Sequence, residues 1–434
     1  MRVLGIGSCC DLGDMYLRLA AQGHEVRVYI EDWSEHRVMD GMLERVADFR
    51  PHLEWVRAAG PEGLVLFETA DRGELQEELR RQGLFVVGGC AYGDRLENDR
   101  AFGQHVLAAA GFRTAPSHEF ADFDAGMAFI RAHPQRYVFK LNGSAASAWR
   151  NYVGRAPDGS DVIALLRGQQ ARLATAGIDP PGFVLMEYVE GVETGVGAYF
   201  NGDRFLEPAC LDWEHKRFFP GDLGELTGEM GTVVTYTGTA RFFELTLQRL
   251  EPQLRAAGYV GYINLNTIVN EAGIWPLEFT CRFGYPGFAI LDALQPDGWA
   301  ALFAGMRDRC NRFETTPAFA VGVVLTVPPF PYRYGYREIS CGLPILIDPE
   351  LGAAARDGLH FGEVAVVDGQ LVTSGVCGYL MVATGTGATV RDAQRSAYAL
   401  AARVHVPNLR YRNDIGDAFA REGLAALQRL GYMP

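Results

Sequence analysis

Four short apolar runs open the chain, with helical patterns between them: Arg2-Val-Leu-Gly-Ile-Gly, Glu25-Val-Arg-Val-Tyr-Ile, Leu64-Val-Leu-Phe-Glu and Leu84-Phe-Val-Val-Gly-Gly. Strand–helix alternation of this kind predicts a small parallel sheet. A helix is expected over 15–22, stopped by Gly23, and another over 94–111, stopped by Gly111. Further strands are expected at Tyr137-Val-Phe-Lys140, at the start of 183–191 ahead of a short polar hinge, and later at 320–327, 343–347, 363–367 and 377–384. Amphipathic helices are expected over 242–257, 297–310 and 390–404.

The strictest alternation runs from Tyr259 to Pro286. Ile263, Leu265 and Thr267 oppose Asn264, Asn266 and Ile268; then Leu277, Phe279, Cys281 and Phe283 oppose Glu278, Thr280 and Arg282. Period-2 alternation predicts two strands, each with one face in the core. Glu271-Ala272-Gly273 suits a three-residue hairpin loop with its glycine left-handed. That loop sets Asn266 opposite Glu278 and Asn264 opposite Thr280, so one face carries Asn264, Asn266, Glu278, Thr280 and Arg282. An ordinary amphipathic hairpin accounts for the pattern. So does a metal–phosphate site, because carboxylate and amide oxygens suit Mg²⁺ and a guanidinium suits phosphate.

The run LEFTCRFGYP resembles the metal-binding strand of the ATP-grasp ligases, in particular the phosphoribosylamine–glycine ligase family, where it is close to Glu-Phe-Asn-Cys-Arg-Phe-Gly-Asp-Pro-Glu. The resemblance extends over nearly the whole chain. It implies Glu278, Asn266 and Thr280 as metal ligands, with Thr280 where the family usually has Asn. Gly284 and Pro286 then follow at the substrate. Asn98-Asp-Arg-Ala-Phe102 matches a motif ending in Ser-Lys-Ala-Phe, so Arg100 stands where a phosphate-contacting lysine is expected. Lys140 matches a lysine that contacts the nucleotide, and a lysine among apolar strand residues is costly unless it is paired.

The hinge after Phe183 matches the linker that reads the adenine edge, implying Glu187, Tyr188 and Val189, with Glu193 for the ribose; by spacing alone these acids could be surface charges. Asp212-Trp-Glu-His-Lys-Arg-Phe and Leu226-Thr-Gly-Glu-Met-Gly231 resemble the family's Asp-His-Lys-Arg and Asn-Thr-Gly-Gly-Met-Gly runs. They imply His215, Lys216 and Arg217, with Arg282, as the charges that stabilise phosphoryl transfer, and Thr227, Gly228, Met230 and Gly231 as close backbone contacts to substrate. Glu229 replaces a glycine there. The closing run Arg410-Tyr-Arg-Asn-Asp-Ile-Gly416 also has a family counterpart.

Three stretches depart from the family. The N-terminal glycine loop, typically Gly-Asn-Gly-Gly-Arg-Glu-His, is Gly5-Ile-Gly-Ser-Cys-Cys-Asp11 here; the glycine-rich phosphate loop is Ser144-Ala-Ala-Ser-Ala-Trp-Arg150; and Asp-Pro-Glu becomes Tyr285-Pro286-Gly287. Together they point to a shifted amine acceptor, unless residues such as Arg150 compensate.

A length of 434 residues suits about two to four domains. The resemblance implies an α/β ATP-grasp fold: an N-terminal domain to about 95, an ATP-grasp domain over 96–316 with a mobile lobe near 116–190, and a C-terminal α/β domain over 317–434. With 48% hydrophobic and 21% charged residues the chain is globular. A formal charge of −13 disfavours nucleic acid or an anionic membrane as partner, and no apolar run is long enough to span a bilayer. Eight cysteines without a CxxC, and an opening without a signal-peptide pattern, suit a reducing cytoplasm.

The expected reaction is ATP-dependent ligation of a carboxylate to an amine, with ATP and Mg²⁺ (or Mn²⁺) as cofactors and small molecules as partners of a monomer or homodimer. Two other classes are a catalytically silent nucleotide-binding relative and a nicotinamide enzyme. The latter rests on Gly5 and Gly7 alone, because Cys10 stands where the fingerprint's third glycine belongs.

Overall fold

The computed structural model describes residues 1–141, 151–176 and 182–434. Two compact units make up the chain: residues 1–103, 193–267 and 278–434 form the first, and 104–192 with 268–277 the second. The boundaries expected near 95 and 316 both fall inside the first unit.

The first unit opens with a five-stranded parallel sheet in the spatial order Glu44–Arg45, Glu25–Ile30, Arg2–Gly7, Gly63–Phe67, Val86–Val87. Leu4, Ile6, Val65, Phe67 and Val86 fill its core, which is the parallel sheet expected from the alternation. The glycines of the GxG answer to packing. A Cβ on Gly5 would stand 2.4 Å from the Tyr16 ring, and one on Gly7 would stand 2.0 Å from the Glu68 carboxylate.

An eight-stranded sheet follows, in the order Gly273–Thr280, Val260–Asn270, Val192–Asn201, Phe205–Glu214, Gly231–Thr235, Phe319–Thr326, Tyr379–Gly387, Leu359–Phe361. Residues on both sides of position 316 therefore share one sheet. The second unit has a four-stranded antiparallel sheet, Ser117–Phe120, Phe183–Glu187, Tyr137–Leu141 and Tyr152–Val153, with helices Phe123–Ala132 and Ser160–Ala176. Phe123, Ile130, Tyr137, Phe139, Leu166 and Phe183 form its core, and Asp122 caps the first helix by accepting from Ala125 N at 2.9 Å.

Three expectations needed correction. The helix expected over 94–111 is two helices, Ala91–Asn98 and Arg100–Ala109, because Asp99 turns extended and accepts from Phe102 N at 3.0 Å, capping the second. The helix expected over 242–257 breaks at Thr246, whose hydroxyl back-bonds to Phe242 O at 2.5 Å, and resumes at Glu251 ahead of Pro252. The hairpin loop is Glu271-Ala272, with Gly273 already in the strand at φ +124°; Asn270 Oδ1 holds the turn by accepting from Ala272 N at 2.9 Å.

No helix among the described residues is long and apolar enough to cross a membrane, and all eight cysteines are free thiols. Gly5→Ala is expected to cost about 1–3 kcal/mol, since its backbone is ordinary and only the buried Tyr16 ring resists it. Urea unfolding checks this, and an unchanged midpoint would mean that the ring yields freely.

Candidate active site

Four adjacent strands of the large sheet send polar side chains to one place. Period-2 geometry puts Asp212 with Glu214 on one face of their strand, and Asn264 with Asn266 on one face of theirs. Asn264 Nδ2 donates to Asp212 Oδ2 at 2.6 Å, and Asn266 Nδ2 donates to Glu193 Oε1 at 2.7 Å. Lys216 stands over this face, its Nζ 3.0 Å from Glu214 Oε2 and 3.5 Å from both Glu193 Oε1 and Glu278 Oε1. The other Glu278 oxygen faces Arg100 Nη2 at 3.6 Å, while Arg100 Nη1 is buried without a hydrogen-bond partner. The helix break at Asp99 puts Arg100 in the first turn of its helix.

Arg282 follows on the same strand end. Its Nε donates to Glu97 Oε1 at 3.0 Å, and Glu97 Oε2 accepts from Cys281 N at 2.6 Å. Glu97 thus fixes the backbone and the guanidinium together.

Burial, then the neighbouring Glu214, pushes the Asp212 carboxyl up to about 8. Glu229 is 7% exposed and its Oε1 has no partner; burial, then Glu214 and Asp212, hold its carboxyl well above the usual range. For Lys216 burial works against the charge, but Glu214, Glu193 and Glu278 outweigh it and raise the ammonium pKa.

Of the basic run, only Lys216 reaches the acids. His215 faces inward: its Nδ1 meets Gly231 O at 3.2 Å, and its Nε2 accepts from Gly416 N at 3.2 Å. Burial and the Arg412 charge lower its pKa, so the imidazole is neutral and its expected cationic role finds no geometry. Arg217 donates to Gly224 O at 2.7 Å instead of joining the cluster.

Thr227 is pinned to Lys216, its N and Oγ1 donating to Lys216 O at 2.7 and 2.9 Å. Met230 is fully buried and donates to His215 O at 2.8 Å. A Cβ on Gly231 would lie 2.4 Å from Gly322 O, so that glycine serves the strand crossing. Gly228 and Gly284 have open space at that position, and Pro286 leads into helix Gly287–Asp292. Thr280 ends its strand half-buried.

In the second unit Lys140 is 9% exposed, on the strand face opposite the core rings Tyr137 and Phe139 and paired in register with Val184. Glu187 lies 3.9 Å from His118, and the Arg136 guanidinium covers the Tyr188 ring at 3.4 Å. Val189 is half-buried. The altered loop Ser144–Arg150 lies outside the described residues.

Sequence reasoning missed Asp212, Glu214 and Glu97. Asp212 and Glu214 alternate with Leu211 and Trp213, the same signal that exposed Glu278. Glu97 sits in a polar helix with nothing in its spacing to mark it. Among the described residues no group of three or more His, Cys, Asp or Glu side chains forms a ready metal cage.

Asp212 and Glu229 bind protons more tightly folded than unfolded, so their stabilising effect is full at low pH and is lost as pH rises through about 8 for Asp212. The ligand-free protein should therefore lose urea resistance from pH 6 to pH 9, and Asp212→Asn should flatten part of that fall. An unchanged slope in the variant would remove Asp212 from the account.

Residues 98–288 match the phosphoribosylglycinamide synthetase ATP-grasp (A) domain family. The phosphoribosylamine–glycine ligase of Pseudomonas aeruginosa is 29% identical over 401 residues, covering 88% of this chain and 87% of the relative. That of Vibrio cholerae is 28% identical over 376 residues, covering 84% and 83%. Among solved structures, phosphoribosylamine–glycine ligase from Thermotoga maritima superposes with a TM-score of 0.72 at 23% identity, covering 96% of this chain and 100% of that one. The MgADP-bound biotin carboxylase domain of 2-oxoglutarate carboxylase from Hydrogenobacter thermophilus does so at 0.61 and 9% identity, covering 94% and 91%. Residues 98–288 thus match an ATP-grasp domain family, and the chain is similar over most of its length to the phosphoribosylamine–glycine ligases.

Proposed function

We propose that the chain is an ATP-dependent carboxylate–amine ligase working through an acyl phosphate, a phosphoribosylamine–glycine ligase or a close relative with a shifted amine acceptor, with glycine as the acid that its relatives' names point to. The observation that carries this is the placing of Glu278 between Lys216 and Arg100, with Arg282 beside it on the same strand end. A carboxylate oxygen attacks the γ-phosphorus of ATP and ADP leaves. The neutral amine nitrogen then attacks the acyl carbon, the carbon–oxygen bond to phosphate breaks, and phosphate leaves with the electron pair and the proton that nitrogen sheds. Lys216, Arg100 and Arg282 stabilise charge on the transferring group.

The residues fit a hard divalent ion in donor type. Glu278, Asn266 and Thr280 offer only oxygens, and Mg²⁺ is commonly held by one or two carboxylates plus substrate phosphates. When bound it would neutralise phosphate charge during transfer. Lys140, and the backbone at Tyr188 and Val189, are proposed as nucleotide contacts of their own unit.

The test is ADP release with ATP, Mg²⁺, glycine and an amine acceptor, phosphoribosylamine and phosphate-free amines in turn, read with the product mass. Glu278→Ala and Lys216→Met should each lower kcat about 100-fold or more while leaving the fold intact by circular dichroism. Normal turnover in either would remove that residue from the chemistry. ATP–Mg²⁺ at about 100 times its Kd should add about 2.7 kcal/mol to folding stability, and an unmoved thermal midpoint at millimolar nucleotide would overturn the nucleotide reading.

A further inference from the structure

A second set of ionisable groups lies beyond the metal strand, in the first unit, and the reaction outlined above does not use it. Glu35 has a side chain only 2% exposed; its Oε1 is 3.6 Å from Arg333 Nη2, and its Oε2 has no partner. Glu363 gathers the strand-entry backbone, its Oε2 accepting from Gly378 N at 2.6 Å and its Oε1 from Cys377 Sγ at 2.9 Å. Asp11 feels the charges of Arg282 and Arg333, so it links this cluster to the strand end that carries Glu278. Glu68 holds the Asp11 backbone, accepting from Asp11 N at 2.9 Å, and its Oε1 is buried and unpartnered. The Tyr285 hydroxyl, also buried and without a partner, faces the charges of Asp11, Glu363 and Cys377.

Two of the departures noted in the sequence, Asp11 in the glycine loop and Tyr285 after the metal strand, therefore meet in one place. That place holds four carboxyl groups, Asp11, Glu35, Glu68 and Glu363. Against them stand two guanidiniums: Arg282 is already bound to Glu97, and the Arg333 side chain is 60% exposed. Resting on the ligase reading above, we propose that Asp11, Glu35, Tyr285 and Glu363 form the amine-acceptor subsite, and that it takes an ammonium-bearing acceptor without a phosphate group.

A phosphate would find both guanidiniums here already facing carboxylates, Arg282 on Glu97 and Arg333 on Glu35, whereas an ammonium would satisfy the idle oxygens of Glu35 and Glu68. Burial pushes both of those carboxyls up to about 8, and a bound cation favours their charged forms. The ammonium passes one proton to a cluster carboxylate. The neutral nitrogen then forms the bond to the acyl carbon, and its second proton leaves with phosphate. Asp11, standing between Arg282 and this cluster, is the carboxylate on the route.

The test separates this claim from the one it rests on. ATP, Mg²⁺, glycine and hydroxylamine are first given to the full chain; glycyl hydroxamate reports acyl-phosphate formation without any acceptor, and its absence would overturn the ligase reading itself. Phosphoribosylamine, ribosylamine and glucosamine are then compared. We expect a phosphate-free amine to exceed phosphoribosylamine at least tenfold in kcat/KM, and Glu35→Gln to raise that amine's KM at least tenfold with kcat nearly unchanged. Tyr285→Phe gives the same reading, severalfold, should the first variant fold poorly. A kcat/KM for phosphoribosylamine equal to or above both others, including no use of any of the three, overturns the proposal. So does a KM that neither variant moves.

Discussion

One ammonium holds this site together. Lys216 is the cation that Glu193, Glu214 and Glu278 share, and those carboxylates come from three different strands of one sheet. Carboxylates gathered this closely repel one another, and the ammonium between them offsets that repulsion although Glu193 and Glu278 remain partly exposed. Asp212 and Glu229, deeper in the same face, show the alternative: burial first, and the neighbouring acids next, favour their neutral forms. In the proposed reaction a phosphate at Lys216 would take up charge that the carboxylates now hold, which would free those oxygens for a divalent ion.

Much of the architecture was legible from hydrophobic periodicity. The parallel sheet and the late strands followed from short apolar runs, those of the sheet set between helical patterns, and the hairpin through Glu278 followed from period-2 alternation, which reports one buried face. Motif resemblance placed Arg100, Lys216 and Glu278, and the structure sets all three within one cluster. Side-chain capping was harder to see. Asp99 and Thr246 break expected helices through single hydrogen bonds that helical periodicity does not register. His215 was misjudged because residue type suggests a cation, whereas two backbone partners fix a neutral ring. Glu97 left no trace in the spacing, since its partners Cys281 and Arg282 lie far off in the chain.

The large sheet carries one more consequence. Strand Gly231–Thr235 is hydrogen-bonded on one side to Phe205–Glu214, which carries Asp212 and Glu214, and on the other to Phe319–Thr326. Cutting the chain near residue 316 would strip away that second neighbour and leave a buried five-residue strand as an edge of unpaired peptide groups. Such an edge invites pairing with another chain, so the C-terminal third is not a detachable cassette. Exchange of this region between relatives would have to preserve the backbone register of the whole sheet, including the Gly231–Gly322 crossing, where no Cβ fits. Recombination and insertion should be tolerated at the exposed turns of the second unit far sooner than at that seam.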